Sequence, residues 1–429
     1  MTSEIVTTDS SFLSFGQLAV VDAFEEGKNL FVTGGAGSGK SYLLNFLKRK
    51  YGHLGLEVTA STGIASVNIG GSTIHSWAGI GLANLPIEQI IENLFTAKFA
   101  RVRRKIKRAK ALAIDEISMI SCELLEVLNK VFQAVRENEQ PMGGIQILLF
   151  GDFLQLPPVN RGSNYFNFCF NSQTWHDLDL QAFVLDGSFR QSGDDDFVKV
   201  LNNLRIGNLE KSDRVILESR IGANDNGVIR PTILTTHNLK VEEINSLELK
   251  KIPREEVVHV AEYFGEPTRI EFLKKNCLAA EILSLKVGAQ VMMIKNTYQK
   301  EGIINGSLGI IREFSSRKNY PVVEFANGKI LTIAPEEWLI EKFDSEKKIV
   351  VTEAGVSQVP LILAWAMTIH KSQGLTLDKI SCDLSDAFSP GQVYVALSRA
   401  RSLDGVFIKS INFEKIFADS AAVKFYKNL

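Results

Sequence analysis

The sequence predicts an α/β protein with two units of parallel β-sheet flanked by helices and a small β-barrel inserted into the second unit. Two observations carry this prediction. Buried strands alternate with helices in both halves of the chain, which is typical of parallel sheets covered on both faces. Between about residues 255 and 351 the pattern changes to short strands divided by Asn-Gly turns, at 305–306 and 327–328, as in a compact barrel.

The first unit is defined by four short apolar runs that end in polar residues or glycine, at 29–34, 55–62, 111–116 and 145–152. Helical stretches separate them. In the helix that begins near residue 121, apolar residues recur at three- and four-residue intervals: Leu124, Leu125, Leu128, Val131, Phe132 and Val135. Because such folds bind their ligands at the carboxyl ends of the strands, we expect the ligand-binding site at the residues where these apolar runs end.

The second unit begins near residue 185, includes the apolar run 231–238, and resumes with 361–384 and 405–411. The interruption contains the short strands 288–296, 306–314, 321–328 and 329–334. No internal repeat or low-complexity tract is visible.

Composition narrows the class of protein. A chain of 429 residues suggests two to four domains. The net charge of -1 implies that a polyanion would be bound in a local groove. Four dispersed cysteines and six dispersed histidines predict neither a disulfide framework nor a metal cluster. No apolar run reaches the roughly 20 residues of a membrane span, and the N-terminus does not resemble a signal peptide. We therefore expect a cytoplasmic protein with no membrane partner.

Residues 34–41 spell G-x-x-x-x-G-K-S between an apolar strand and a helix, which is the context of a P-loop. Backbone N–H groups of such a loop wrap phosphates, and the helix N-terminus favours the negative charge. Lys40 is predicted to reach the β- and γ-phosphates, and the Ser41 hydroxyl to ligate Mg²⁺. The loop residues predicted to contact the nucleotide are Gly35, Ala36, Gly37, Ser38 and Gly39. A glycine-rich loop without a ligand is disfavoured, because motif and context agree.

Asp115 and Glu116 follow the strand "ALAI". We predict that Asp115 binds the magnesium shell and that Glu116 is the general base for water. A solvated acidic turn is the alternative. Gln155 in "GDFLQLPPV" is placed to sense the γ-phosphate, and Arg190 and Arg399 are candidates to stabilise phosphoryl charge across a cleft. The guanine-reading motif N-K-x-D and the transporter signature L-S-G-G-Q are absent from the sequence.

A series of motifs occurs in one order: "GGAGSGKS", "TASTGIAS", "GGSTIHSWAG", "IDEISMI", "GDFLQLPPV", "FRQ", "TIHKSQGLTLD" and "VYVALSRARS". The series resembles that of superfamily 1 helicases, and more narrowly the Pif1 family of DNA helicases, over residues 15–411. Residues 123–152 are similar to the stretch that distinguishes this family from its relatives.

The resemblance implies ATP and Mg²⁺ as cofactors and assigns roles to matching residues. It assigns Gln17 to the recognition of adenine, and it adds Gln373 and Gly374 to the residues that bind the nucleotide. It also implies that Gln155, Arg190 and Arg399 couple the γ-phosphate to closure of two RecA-like domains. The implied domains are 1–182 with a small wedge at 65–80, 183–254 together with 352–429, and an inserted SH3-like barrel at 255–351. The chain resembles a bare helicase core of a bacterial or phage member.

Two polar segments are predicted to contact a nucleic-acid strand. Thr62, Asn68, His75 and Trp77 follow one strand, and Thr368, His370 and Lys371 have the same character in the second unit. Short polar side chains suit sugar–phosphate contacts. Trp77 is either a base-stacking residue or a core residue, whereas a strand contact is favoured for His75 because it lies among hydroxyls and glycines.

The basic run 98–110 has two interpretations. A solvated surface helix is favoured, because its charges point in all directions around the stripe of Val102, Ile106 and Ala109. Direct binding of DNA is the alternative.

We therefore predict an ATP-dependent DNA helicase, monomeric in isolation, that moves 5′→3′ on single-stranded DNA and unwinds tailed or forked duplex. The direction comes from the resemblance, which also extends to G-quadruplex and RNA–DNA hybrid substrates and to roles in DNA repair, recombination and telomere maintenance. The alternative is a strand-stimulated ATPase that remodels or anneals nucleic acid without processive unwinding. A P-loop switch without a nucleic-acid ligand is a third hypothesis, which "TIHKSQG" argues against.

Overall fold

A computed structural model describes residues 12–429 except 82, 159–165, 188, 192, 224, 226, 237, 345–348 and 386–388. The first lobe contains a six-stranded parallel sheet in the order β3-β2-β4-β5-β1-β6. Its strands are β1 (Leu30–Thr33), β2 (Leu56–Ala60), β3 (Ser72–Thr73), β4 (Ala111–Asp115), β5 (Gln146–Phe150) and β6 (Gln181–Val184). Its helices are α1 (Phe15–Glu25), α2 (Lys40–Tyr51), α3 (Gly63–Asn68), α4 (Ile74–Ala78), α5 (Ile87–Leu94), α6 (Ala100–Arg108), α7 (Cys122–Arg136) and α8 (Gln173–Asp177).

Both faces of this sheet are covered, as the sequence predicts. Leu30 and Val32 of β1 belong to one buried cluster, and Phe31 between them belongs to another. Such alternation follows from the two-residue period of a strand. The predicted apolar face of α7 is confirmed, with all its members buried except the partly buried Leu124.

Residues 65–80, predicted as a separate wedge, share the sheet and core of the first lobe. β3 pairs with β2 at the edge of the sheet, and Ile74 and Trp77 lie in the same buried cluster as α7. The structure shows no separate core for residues 65–80 among the described residues, and their assignment to a distinct wedge subdomain stays a prediction.

The second lobe starts with α9 (Asp195–Ile206), α10 (Lys211–Glu218), β7 (Thr232–Thr235) and α11 (Asn238–Lys251). The chain then enters the inserted region, whose elements are β8 (Glu256–Val260), β9 (Glu262–Gly265), α12 (Pro267–Asn276), β10 (Ile282–Lys286), β11 (Gln290–Met293), β12 (Leu308–Phe314), β13 (Pro321–Phe325), β14 (Ile330–Thr332), β15 (Glu336–Asp344), β16 (Ile349–Gln358) and β17 (Leu361–Leu363). The expected short antiparallel strands are present.

These strands form three separate sheets, in the orders β14-β13-β12-β11-β17, β15-β16-β9 and β10-β8. The SH3-like barrel is not confirmed. The predicted restart of the second unit at residue 352 is too early, because β16 and β17 pair within the inserted region. The sequence does not show where the inserted region ends, because the apolar run that begins at residue 361 supplies strands to two different sheets.

The second lobe is completed by β18 (Ala366–Thr368), β19 (Ile380–Leu384), α13 (Gln392–Leu397) and β20 (Val406–Ile411). Its parallel sheet has the order β18-β7-β19-β20. The last helix, α14 (Ser420–Lys427), leaves this lobe, because Ala422 and Phe425 pack in the core of the first lobe. The predicted second unit, which ran to residue 429, therefore includes a helix that packs elsewhere. No helix in the described part of the chain is long and apolar enough to cross a membrane.

Candidate functional site

The P-loop connects β1 to α2. Lys40 is the first residue of α2, and its Nζ donates to the carbonyl oxygens of Gly34 at 2.6 Å and Gly35 at 3.0 Å. Burial lowers the pKa of Lys40, while the carboxylates of Asp152, Glu116 and Asp115 oppose that shift. The Lys40 ammonium group is thus bonded to the backbone of its own loop.

Gly39 shows why the loop requires glycine. Its φ is 88°, and a Cβ there would lie 2.6 Å from Nε2 of Gln17 and 3.2 Å from the ring of Phe189. Gln17 is buried, forms a capping box with Ser14, and donates to the Gly39 carbonyl at 3.3 Å. The assignment of Gln17 to adenine stays a prediction.

Phe189 also lies beside the P-loop, although the sequence does not predict this position. Its side chain is 64% exposed, although its N–H donates to the carbonyl of Gly37 at 3.0 Å. An exposed aromatic ring beside the P-loop offers a surface on which a nucleotide base can stack. The only signal in the sequence is its place before Arg190 in "GSFRQ".

Asp115 ends β4, which is separated from β1 by β5. Its Oδ1 accepts the N–H of Glu116 at 2.9 Å. Burial raises the pKa of Asp115 to about 6. Burial, and then the charge of Asp115, raises the pKa of Glu116 to about 7, against the effects of Lys40 and Arg399. Glu116 has a left-handed φ of 54°, a strained conformation that clusters at functional sites.

These residues fit Mg²⁺. The carboxyl groups of the buried Asp115 and the half-buried Glu116, both with raised pKa values, would be stabilised in their charged forms by a cation, and Ser41 is exposed in the first turn of α2. Mg²⁺ prefers few protein oxygen ligands together with phosphates and water. The described residues contain no group of three or more His, Cys, Asp or Glu side chains that could hold a metal.

Gln155 is 6% exposed, and its Nε2 donates to Oδ2 of Asp152 at 3.3 Å. The start of α13 from the second lobe packs against this loop. A Cβ on Gly391 would lie 2.6 Å from the carbonyl oxygen of Leu154 and 2.7 Å from that of Gln155. The predicted γ-phosphate sensor therefore lies at the contact between the lobes.

Arg190 and Arg399, far apart in sequence, meet at Ser398. Nη1 of Arg190 donates to the Ser398 carbonyl at 2.8 Å, and Nη2 of Arg399 donates to the Ser398 hydroxyl at 2.9 Å. Arg399 is 2% exposed, and its charge lowers the pKa of Glu116. The structure thus brings together, at Ser398, the two arginines that the sequence predicts to act on the phosphoryl group.

Tyr394, in α13, also reaches the P-loop and was missed by the sequence reasoning. Its hydroxyl accepts the N–H of Ala36 at 2.7 Å, and its side chain is buried. Gln373 and Gly374 follow β18. Nε2 of Gln373 is buried without a hydrogen-bond partner among the described residues, and Gly374 is exposed. Their assignment to the nucleotide stays a prediction.

The first predicted strand-binding segment divides into exposed and buried residues. Asn68 is exposed, His75 is half-buried, and the hydroxyl of Thr62 caps α3. Trp77 is 2% exposed, packs edge-on against Phe132 and donates from Nε1 to Glu57. Stacking of Trp77 on a base is therefore wrong for this arrangement, since the indole is part of the core.

The second segment divides similarly. His370 and Lys371 are exposed. Thr368 is 3% exposed, and its hydroxyl accepts the N–H of Lys371 at 3.2 Å. The prediction that Thr368 contacts a strand is contradicted by this burial; the residue instead shapes the turn that presents Lys371.

The basic run forms α6, which is tied to the rest of the protein. Arg101 pairs with Glu353, Lys107 pairs with Glu137 at 2.8 Å, and Lys105 lies over the Trp77 ring. Ile106 is fully buried. These contacts favour the interpretation of 98–110 as a structural surface helix.

A P-loop, an acidic pair and arginines from a second parallel-sheet lobe define the class of the protein, which is a two-lobed P-loop NTPase. The family model "PIF1-like helicase" matches residues 13–215, and "DNA helicase Pif1, 2B domain" matches residues 270–314. The chain belongs to the Pif1 family of helicases.

Named relatives are similar over nearly the whole chain. The ATP-dependent DNA helicase PIF1 of Danio rerio is 38% identical over 97% of this chain and 64% of its own length. The ATP-dependent DNA helicase Pif1 of Bdellovibrio bacteriovorus is 36% identical over 97% of this chain and 92% of its own. The crystal structure of Bacteroides sp. Pif1 in complex with ADP-AlF4 has a TM-score of 0.85 at 32% identity, covering 97% of this chain and 96% of that one. The chain therefore spans about 64% of the length of its vertebrate relatives.

Proposed function

We propose that this chain is an ATP-dependent DNA helicase that translocates on single-stranded DNA and separates duplex DNA ahead of it. The observation that carries the proposal is the contact between the two lobes at the P-loop, where the hydroxyl of Tyr394, on the same segment as Arg399, accepts the N–H of Ala36 at 2.7 Å. The names of the relatives support the activity, and a Bacteroides Pif1 bound to ssDNA, 31% identical with a TM-score of 0.63, supports the partner.

When bound, ATP and Mg²⁺ supply the phosphoanhydride bond and the cation that neutralises its phosphates. In the proposed mechanism Lys40 contacts the phosphates, and Glu116 accepts a proton from the attacking water. Arg399 and Arg190 stabilise the charge that develops on the transferred phosphoryl group. Gln17 and Phe189 flank the side of the P-loop at which the adenine would lie.

Strand binding is proposed for polar residues at the surface of both lobes, namely the exposed Asn68 and the half-buried His75 on the first and the exposed His370 and Lys371 on the second. Closure of the cleft around ATP would change the distance between these two surfaces. If each surface holds the strand in turn, every cycle of hydrolysis advances the protein along it. The direction 5′→3′, the monomeric state and the division into two RecA-like domains with an inserted domain are parts of the same proposal.

Unwinding of matched duplexes that carry either a 5′ or a 3′ single-stranded tail tests the proposal, with Lys40→Ala as the control. We expect ATP-dependent separation of the 5′-tailed duplex and none with Lys40→Ala. Strand-stimulated ATP turnover without separation of either duplex would favour a remodelling or annealing ATPase. Turnover indifferent to oligonucleotide would favour a P-loop switch. G-quadruplex and RNA–DNA hybrid substrates in the same assay test the proposed extension of substrate range.

A further inference from the structure

The last helix of the chain connects the second lobe back to the first. After β20 the chain passes the ends of two second-lobe helices: the carbonyl of Phe417 accepts the N–H of Gly391 at 3.2 Å, and the N–H of Ala418 lies 2.7 Å from the position of a Cβ on Gly207. α14 then inserts Phe425 into the first lobe, where its ring stacks on Phe170 with centroids 4.5 Å apart. Four further aromatic rings lie around it: Phe31, Phe153, Trp175 and the neighbouring Tyr426.

The residue after Phe425 reaches the strand that leads into the P-loop. The Tyr426 hydroxyl lies 2.6 Å from Oγ1 of Thr33, the last residue of β1. It also donates to Oδ1 of Asp152 at 3.2 Å and accepts the N–H of Phe153 at the same distance. Since its one proton is given to Asp152, Thr33 is the donor in the first contact. One hydroxyl therefore joins the P-loop strand to the loop that carries Gln155.

The side chain of Asp152 has no exposed surface and forms an ion pair with a residue of the second lobe. Arg205 of α9 donates from Nε to Oδ2 at 2.9 Å and from Nη2 to Oδ1 at 2.8 Å. The Arg205 guanidinium also lies 5.0 Å from the centre of the Tyr426 ring. Its charge holds the pKa of Asp152 below its usual value against the effect of burial. The same carboxylate accepts from Nε2 of Gln155.

We propose that Tyr426 and Arg205 are positioning residues for ATP hydrolysis, and that α14 is a strap that fixes the Asp152–Gln155 loop against the P-loop strand. The proposal rests on the proposed ATPase activity. Separation of a buried, bidentate Arg–Asp pair would leave an uncompensated charge. The lobes should therefore stay together at Arg205 and Asp152, so that relative movement occurs on the side of Arg190 and Arg399.

The test compares Tyr426→Phe, Arg205→Lys, the double variant and the matched control Tyr320→Phe, which removes a tyrosine hydroxyl from the inserted region. Tyr426→Phe keeps the aromatic packing, and Arg205→Lys keeps the charge but loses the two-point contact. Strand-stimulated ATP turnover is measured at saturating ATP. The Kd and stoichiometry for ADP are measured by calorimetry.

We expect each single change to lower kcat by about 3- to 10-fold, because Asp152 keeps its remaining donors and the loop is displaced only in part. The Kd of each variant for ADP should stay within about 2-fold of the parent value, since neither residue contacts the phosphate cradle. Because both act through one carboxylate, the double variant should lose less than the product of the single losses. Tyr320→Phe should match the parent.

Three results would overturn the inference: parent-like kcat for Tyr426→Phe, fully multiplicative losses in the double variant, or a loss of kcat matched by an equal loss of ADP-binding sites. The third would mean that the variants simply fold less well. A parent protein that does not hydrolyse ATP with single-stranded DNA would instead refute the proposed function.

Discussion

The hydroxyl of Tyr394, on the second lobe, accepts a hydrogen bond of 2.7 Å from the backbone N–H of Ala36 in the P-loop. Arg399 follows on the same segment, with its Nε bonded to the carbonyl of Val395 at 2.9 Å. The backbone of the P-loop is therefore joined through Tyr394 to the segment that carries the arginine. This contact attaches α13 directly to the phosphate cradle.

Tyr394→Phe should lower ATP turnover by about 3- to 10-fold, because the contact across the cleft is worth about 1 kcal/mol and its ring packing is kept. Steady-state hydrolysis with saturating single-stranded DNA measures the effect. Turnover equal to that of the parent would show that the contact does not limit closure.

Gly391→Ala should lower ATP turnover by more than an alanine placed in the same left-handed backbone conformation without a steric clash. Gly391 has a φ of 70°, and the added methyl group would clash with the carbonyls of Leu154 and Gln155. We expect relief of this clash to move α13, and with it Arg399, away from Gln155. We expect a loss of at least about 10-fold in kcat, the effect of some 1.4 kcal/mol.

Gly328→Ala is the matched control, since Gly328 has a φ of 78° but nothing within 4 Å of the added methyl group. It carries the strain of the left-handed conformation without the clash. Equal losses of turnover in the two variants would mean that the contact between α13 and the Gln155 loop is not required.

The parts of the site that sequence could predict are those carried by contiguous motifs. The P-loop and the acidic pair lie at the ends of strands because their neighbours are apolar runs, which fixes their edge of the sheet. Arg190 and Arg399 were recognised by their flanking residues, and the structure brings them together at Ser398.

The residues that the sequence does not predict make contacts with partners far away in the chain. Tyr426 and Asp152 are 274 positions apart, and Arg205 is 53 positions from the same carboxylate. A lone tyrosine or arginine in a helix gives no sequence signal of a distant buried partner. Trp77 was ambiguous for the opposite reason: its polar neighbours suggest a surface, whereas its helix turns the indole towards α7.

Glu116→Gln should stabilise the nucleotide-free, Mg²⁺-free protein above about pH 7 while it abolishes hydrolysis. Burial raises the pKa of Glu116 from 4.5 to about 7. The folded state then binds more protons than the unfolded state between these values, so the free energy of unfolding falls as the pH rises through them. Above pH 7 the whole cost of the buried charge is present, and glutamine removes it.

Melting temperatures in EDTA at pH 8 and pH 5 measure this effect. We expect a gain of several degrees at pH 8 that largely disappears at pH 5, and a loss of turnover of at least about 100-fold from removal of the base. Glu92→Gln, on the exposed face of α5, should give no gain at either pH. A gain for Glu116→Gln that is the same at both pH values would contradict the shifted pKa.

Lys371 and His75 should differ in how they bind single-stranded DNA. Lys371 is exposed and cationic, so Lys371→Ala should reduce the slope of log K against log salt by about 0.7, the value for one phosphate contact on a single strand. Burial lowers the pKa of His75 below 6.5, so the imidazole is neutral at pH 7.5. His75→Ala should therefore weaken binding at pH 7.5 without a change of slope.

Titrations of a fluorescent oligonucleotide over a series of salt concentrations separate the two effects. Lys28→Ala is the control, because Lys28 precedes β1 at the edge of the sheet opposite the P-loop and should leave both affinity and slope unchanged. If Lys371→Ala keeps the parent's slope, Lys371 does not contact a phosphate and the strand lies elsewhere on the second lobe. If His75→Ala lowers the slope at pH 7.5, the histidine is charged in the complex, which means that a nearby phosphate raises its pKa enough to offset burial.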